Sequence, residues 1–125
     1  MQAVDSLRGV YVLIVDGDRE RRALLARVLE YCGAYVQTAV SADRALATMR
    51  QMLPDVLIAD VEAVGCNLVR DVRVLKPEAG GVVPVIGVGP RDREDISRSA
   101  GCDAFLASPF VPWQVCGLVQ QVTSD

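Results

Sequence analysis

The chain has 125 residues, 51% hydrophobic and 23% charged, with a formal net charge of −3. That size fits one domain with a substantial core, and the hydrophobic share excludes disorder over most of the length. A pI near 4.9 with scattered Lys and Arg excludes a nucleic-acid footprint, and no apolar stretch reaches the length of a membrane span.

No charged, apolar and small-residue sequence at the start marks a signal peptide, so the expected compartment is the cytoplasm. Histidine is absent, and Cys32, Cys66, Cys102 and Cys116 never form Cys-x-x-Cys. That argues against zinc and excludes Ser-His or Cys-His catalysis. The cysteines read as small buried hydrophobes or helix-end residues. Any chemistry here runs on carboxylates.

Residues 1–9 read as a short mixed leader, and 10–125 as the single domain. Val10 to Val15 is a continuous apolar run ending at a carboxylate, Asp16. Asp18 is placed to cap a helix whose apolar face is Leu24, Leu25, Val28, Leu29 and Cys32, stopped by Gly33. Tyr35–Ala39 is a strand with polar residues, hence nearer an edge. Ser41 caps a second helix with Ala45, Leu46, Met49 and Leu53 inward.

After Pro54, Val56 to Ala59 lacks alternation, as suits a strand buried on both faces, and ends at Asp60. Asp60 either starts a turn or caps a helix, or it sits where ligands bind at the carboxyl ends of α/β strands. A third helix is expected from Cys66 to Leu75, with Leu68, Val72 and Leu75 inward. Lys76–Gly81 is a loop, and Val82–Val88 a fourth strand with Pro84 near its start.

Arg91–Ala100 reads as a polar helix burying Ile96 and Ala100, and Ala104–Ala107 as a brief strand. Pro112 opens a last helix with Val115, Leu118, Val119 and Val122 inward. Five strands alternating with five helices through short links predict a parallel sheet wrapped on both faces.

Three segments carry a family resemblance: Val-Leu-Ile-Val-Asp at 12–16, Pro-Asp-Val-Leu-Ile-Ala-Asp at 54–60, and Ala-Gly-Cys-Asp-Ala-Phe-Leu-Ala-Ser-Pro-Phe at 100–110. In order, and across essentially the whole chain, they resemble the receiver domain of two-component response regulators. The last is similar to that family's Ala-Gly-x-x-x-Tyr-Leu-x-Lys-Pro-Phe. The resemblance implies a flavodoxin-like doubly wound sheet of order 2-1-3-4-5 and a cis Ser108–Pro109 peptide.

It also implies phosphoryl transfer to Asp60 from a histidine kinase or phosphotransfer protein. Mg²⁺ would be held by Asp16, Asp60 and the backbone oxygen of Glu62, with Asp18 a further candidate. Such a chain is not an enzyme beyond accepting the phosphoryl group and slowly losing it. The expected site is a shallow pocket in which the two acids converge without a cationic side chain.

The departures from the family pattern concern the readout. Gly17 replaces the second acid after the first strand, Gly89 the hydroxyl residue after the fourth, and Ser108 the lysine before Pro-Phe. Phe105 keeps the ring of the switching tyrosine without its hydroxyl. A charge-assisted bond from lysine is worth about 1.5–3 kcal/mol and a hydroxyl contact about 0.5–1.5 kcal/mol. Throwing a two-state switch nearly completely takes about 5.5 kcal/mol, so their loss impairs switching.

Two readings stay open. One is a phosphorylatable receiver with weak Mg²⁺ binding. The other is a phosphate-insensitive interaction module that docks or homodimerises through its last helices and fifth strand, with Phe110, Val111 and Trp113 at the contact. No nucleic acid, no membrane and no attached DNA-binding module are expected. A dinucleotide enzyme is dismissed: Gly87-Val88-Gly89 follows a strand, but Asp92 stands where the third glycine belongs.

Overall fold

The computed structural model describes residues 6–124, apart from the side chains of Ala63 and Val64. Strands β1 (Tyr11–Val15), β2 (Tyr35–Ala39), β3 (Val56–Asp60), β4 (Val85–Pro90) and β5 (Ala104–Ser108) form one parallel sheet, ordered β2-β1-β3-β4-β5. Helices α1 (Arg19–Tyr31), α2 (Ala42–Gln51), α3 (Cys66–Arg73), α4 (Glu94–Ala100) and α5 (Trp113–Thr123) complete the alternation.

The pleat sorts the core into two layers. Val12 and Ile14 of β1 and Ile58 of β3 pack with Leu25 and Leu29 of α1 and Val115 and Val119 of α5. Leu13, Val15, Leu57 and Ala59 point the other way, onto Ala45 and Met49 of α2 and Leu68, Val69 and Val72 of α3. Every residue of β1 and β3 is buried, which is why neither strand alternates in sequence. β2 is an edge with mostly exposed residues.

Several expectations need correcting. β4 begins at Val85 and runs through Pro90, because Val82 is exposed and Pro84 precedes the ladder. The chain after β3 makes a π-helical turn, Val61–Gly65, before α3, which ends at Arg73 with Val69 buried and Leu75 only half-buried. In α1, Leu24 is exposed. In α4, a 3₁₀ turn (Arg91–Arg93) comes first, and Ser97 rather than Ile96 is buried. In α5 the expected face holds, Leu118 and Val122 packing half-buried against the core, and Cys116 joins it fully buried.

Residues 1–5 of the expected leader lie outside the described residues. Leu7 belongs to the core and its N–H donates to the carbonyl of Cys32 at 2.9 Å. Among the described residues, no helix is long and apolar enough to cross a membrane.

Arg73 fastens the amino ends of β4 and β5 to α3. Its guanidinium donates to the carbonyls of Gly101, Gly81 and Val83 at 3.0, 3.1 and 2.7 Å and pairs with Asp103 at 2.7 Å. Asp103 accepts in turn from the Val85 N–H at 2.8 Å. Arg73→Met keeps much of the packing but strands these acceptors. It should cost about 2–3 kcal/mol, read as a lower urea midpoint.

Candidate functional site

The register decides where the acids stand. Val15 of β1 lies opposite Ala59 of β3, so Asp16 and Asp60 leave the sheet side by side at its carboxyl edge. The Asp16 N–H donates to the Ala39 carbonyl at 3.1 Å, and the Asp18 N–H to Asp16 Oδ1 at 2.8 Å. The Asp18 carboxylate turns away, accepting from the N–H groups of Glu20 and Arg21 at 3.0 and 3.3 Å as the cap of α1. Asp60 Oδ1 accepts from the Glu62 N–H at 2.9 Å, which curls the chain into its π-helical turn.

The acids converge, but they are neither open to solvent nor without a cation. Asp16 is 1% exposed and Asp60 2%. Arg21, on the first turn of α1, spans them. Its Nε meets Asp16 Oδ2 at 2.6 Å, and one terminal nitrogen reaches Asp16 Oδ1 at 3.0 Å and Asp60 Oδ2 at 2.9 Å. Hydrogen bonding to Asp16, then the negative charges of Asp16, Asp60 and Asp18, holds the guanidinium proton more firmly than usual, against the pull of partial burial. Arg22 donates to the Asp16 carbonyl at 2.8 Å.

Arg21 is the residue that sequence reasoning missed. A signal was present: Arg19, Arg21 and Arg22 crowd the first turn of α1, where the helix dipole disfavours cations. Such a cluster calls for an anion outside the helix.

The remaining family positions sit around this cluster. A Cβ built on Gly89 would come within 2.8 Å of Val61 Cγ2, and one on Gly87 would run into Ser97 Oγ and come within 3.0 Å of Val61 Cγ1. Val61 therefore fills the space over β4 where a hydroxyl side chain would stand, and the Gly-Val-Gly spacing reflects that contact rather than a phosphate loop. Gly17 is exposed and carries no side chain for the pair. Ser108 and Phe105 are half-buried on β5, and the Ser108–Pro109 peptide is cis. Glu62 points its carboxylate to Arg93 at 3.4 Å. Val111 and Trp113 are exposed, Phe110 is half-buried, and the Trp113 ring packs against Tyr31 of α1 with centroids 5.7 Å apart.

No family model matches the sequence. The chain is 34% identical over 124 residues to an uncharacterised 14.6 kDa protein of the sodA1 3′ region in Leptolyngbya boryana, covering 94% of this chain and 93% of that one. It is 30% identical over 114 residues to the DNA-binding response regulator MtrA of Mycobacterium tuberculosis, covering 87% of this chain and 48% of MtrA. A crystal structure assigned as a response regulator of Chloroflexus aurantiacus superposes with a TM-score of 0.86 at 28% identity, over 93% of this chain and 98% of that one. The chain belongs to the response-regulator receiver family. It spans about half the length of MtrA.

Receivers ordinarily use Mg²⁺, and the donor set of this one can be tested against it. Octahedral Mg²⁺ takes oxygen ligands and keeps several waters. Here the guanidinium already takes both oxygens of Asp16 and Oδ2 of Asp60, while Asp18 is committed to the helix. The residues as arranged do not fit a resident Mg²⁺.

The receiver's acid pair should depend on Arg21 for stability. Removing one partner of a buried ionic cluster costs about 3–5 kcal/mol, and Arg21, 23% exposed, belongs near the lower end. Arg21→Met should therefore cost about 3 kcal/mol, and Asp60→Asn should relieve part of that loss. A double-mutant cycle in urea should give a coupling energy on the order of 1–3 kcal/mol. Additive losses would mean that the bridge has little strength in solution.

Proposed function

We propose that this receiver domain acts as a phosphorylation-independent interaction module, the tethered Arg21 standing where a receiver would bind its metal. The observation that carries this reading is the guanidinium bridging Asp16 and Asp60. It is supported by the two positions that ordinarily grip a phosphoryl oxygen: one is Gly89 beneath Val61, the other Ser108.

Contact with a protein partner, or with a second copy, would run through α5, β5 and the exposed Val111 and Trp113. A groove of about 570 Å³ opens beside β5 and α5, between Arg91, Phe105, Pro109, Gln114 and Leu118, with Val111 and Trp113 outside its lining. On this reading the domain works in the cytoplasm beside a signalling protein.

The alternative is a phosphoacceptor role, with a histidine kinase or phosphotransfer protein as donor and weakly held Mg²⁺. It is favoured by the adjacency of Asp16 and Asp60 at strand ends and by the cis Ser108–Pro109 peptide. Asp60 would be the nucleophile, and Arg21 would have to swing out before a metal entered.

Intact-protein mass after incubation with a small phosphodonor and Mg²⁺ separates the two. The wild-type chain should gain no phosphate, and its amide NMR spectrum should not respond to Mg²⁺. An adduct present in wild type and lost in Asp60→Asn overturns the proposal. Arg21→Met should acquire a Mg²⁺ response, its stability rising by about 1.4 kcal/mol at a tenfold excess over Kd, because the emptied acid pair then needs a counter-ion.

A further inference from the structure

Two of the cysteines meet, well away from the acid pair. Cys32 closes α1 and Cys116 lies within α5; both are fully buried, and their Sγ atoms are 3.0 Å apart across 84 positions of sequence. Leu25, Leu29, Val115 and Val119 surround them in the same core layer. Both are free thiols. A disulfide has sulfurs about 2.05 Å apart, so closing the gap takes about 1 Å of side-chain movement.

We propose that Cys32 and Cys116 form an oxidation site, a latent disulfide that staples α1 to α5 when a peroxide reaches it. Hydrogen peroxide, little larger than water, is the oxidant whose size suits a buried pair. One thiol loses its proton and its sulfur attacks the O–O bond, giving a sulfenic acid and releasing water. The neighbouring thiol then displaces the sulfenic hydroxyl, the S–S bond forms, and a second water leaves. Two thiols and one peroxide become one disulfide and two waters, with two electrons passing from sulfur to oxygen.

Proximity supplies the second step, since the resolving thiol is already in contact. Burial sets the pace of the first. Burial foremost, with the Cys32 contact, pushes the Cys116 thiol up to about 12, so thiolate is scarce at neutral pH and the reaction should quicken as pH rises. A cross-link closing so long a stretch of chain constrains the unfolded state, so the oxidised domain should melt at a higher temperature.

The test exposes the folded protein to hydrogen peroxide at pH 7 and pH 9. The reaction is quenched, the protein is unfolded with an alkylating agent, and intact and peptide masses are read. The expected product is about 2 Da lighter, carries a Cys32–Cys116 linked peptide, forms faster at pH 9, reverts with reductant and melts higher than the reduced form. Cys116→Ala should lose that peptide; should the variant not fold, the wild-type masses decide alone. Recovery of both cysteines as alkylated thiols, after a dose that oxidises the half-buried Cys66, overturns the proposal. So does a dominant pairing other than Cys32–Cys116, or a linked form that melts lower. The pair shares no residue with the acid cluster, so this outcome is independent of the phosphodonor experiment.

Discussion

The constraint on which the carboxyl edge depends is the burial of two carboxylates within reach of one guanidinium. Parallel pairing of β1 with β3 puts Asp16 and Asp60 at neighbouring strand ends. Two like charges 4 Å apart repel by about 4 kcal/mol at an effective dielectric of 20, more than the roughly 1 kcal/mol of a good helix cap. A cation between them offsets that repulsion. A diffusible metal would meet that need in proportion to its concentration. Arg21 is tethered, so the first turn of α1 delivers the guanidinium without any loss of translational freedom.

Once the cation is part of the chain, the neighbouring positions make physical sense together. Val61 leans over β4 from the π-helical turn, and Gly87 and Gly89 share the face it covers. A Cβ at Gly89 would press on the Val61 side chain, so a hydroxyl could be restored there only if Val61 shifts. At Gly87 the missing Cβ leaves room for Ser97, which explains why α4 buries a serine and leaves Ile96 outside. The missing side chain at Gly89 and the packing of Val61 over β4 thus go together.

What could be read in advance follows from which forces leave a one-dimensional trace. The unbroken apolar runs of β1 and β3 record burial on both faces, and Asp18 and Ser41 record helix starts through their own backbone acceptances. The acid pair was legible because a carboxylate closes each run. Arg21 was not, because period-based reasoning assigns any arginine on a surface helix to solvent and cannot see an anion contributed by a strand far along the chain. β4 slipped for a related reason: Val82 and Val83 are β-formers by composition, yet Pro84 lacks the donor and the ladder starts after it. Leu24 fits the apolar stripe of α1 but falls at its rim and faces water.

A ligand shifts a two-state domain only by binding one state better than the other. In a phosphorylatable receiver that difference arrives with the phosphoryl group and the metal. On the proposed reading, Arg21 held by both acids writes most of that electrostatic difference into the chain, and the sequence sets the balance between states. A partner that recognised α5 and β5, as proposed, would then meet a surface already in one arrangement. Its affinity would escape the penalty that applies when the binding-competent state is a minor fraction. A receiver working as proposed would gain a constant contact surface, and its regulation would come from the partner or from chemistry elsewhere in the fold.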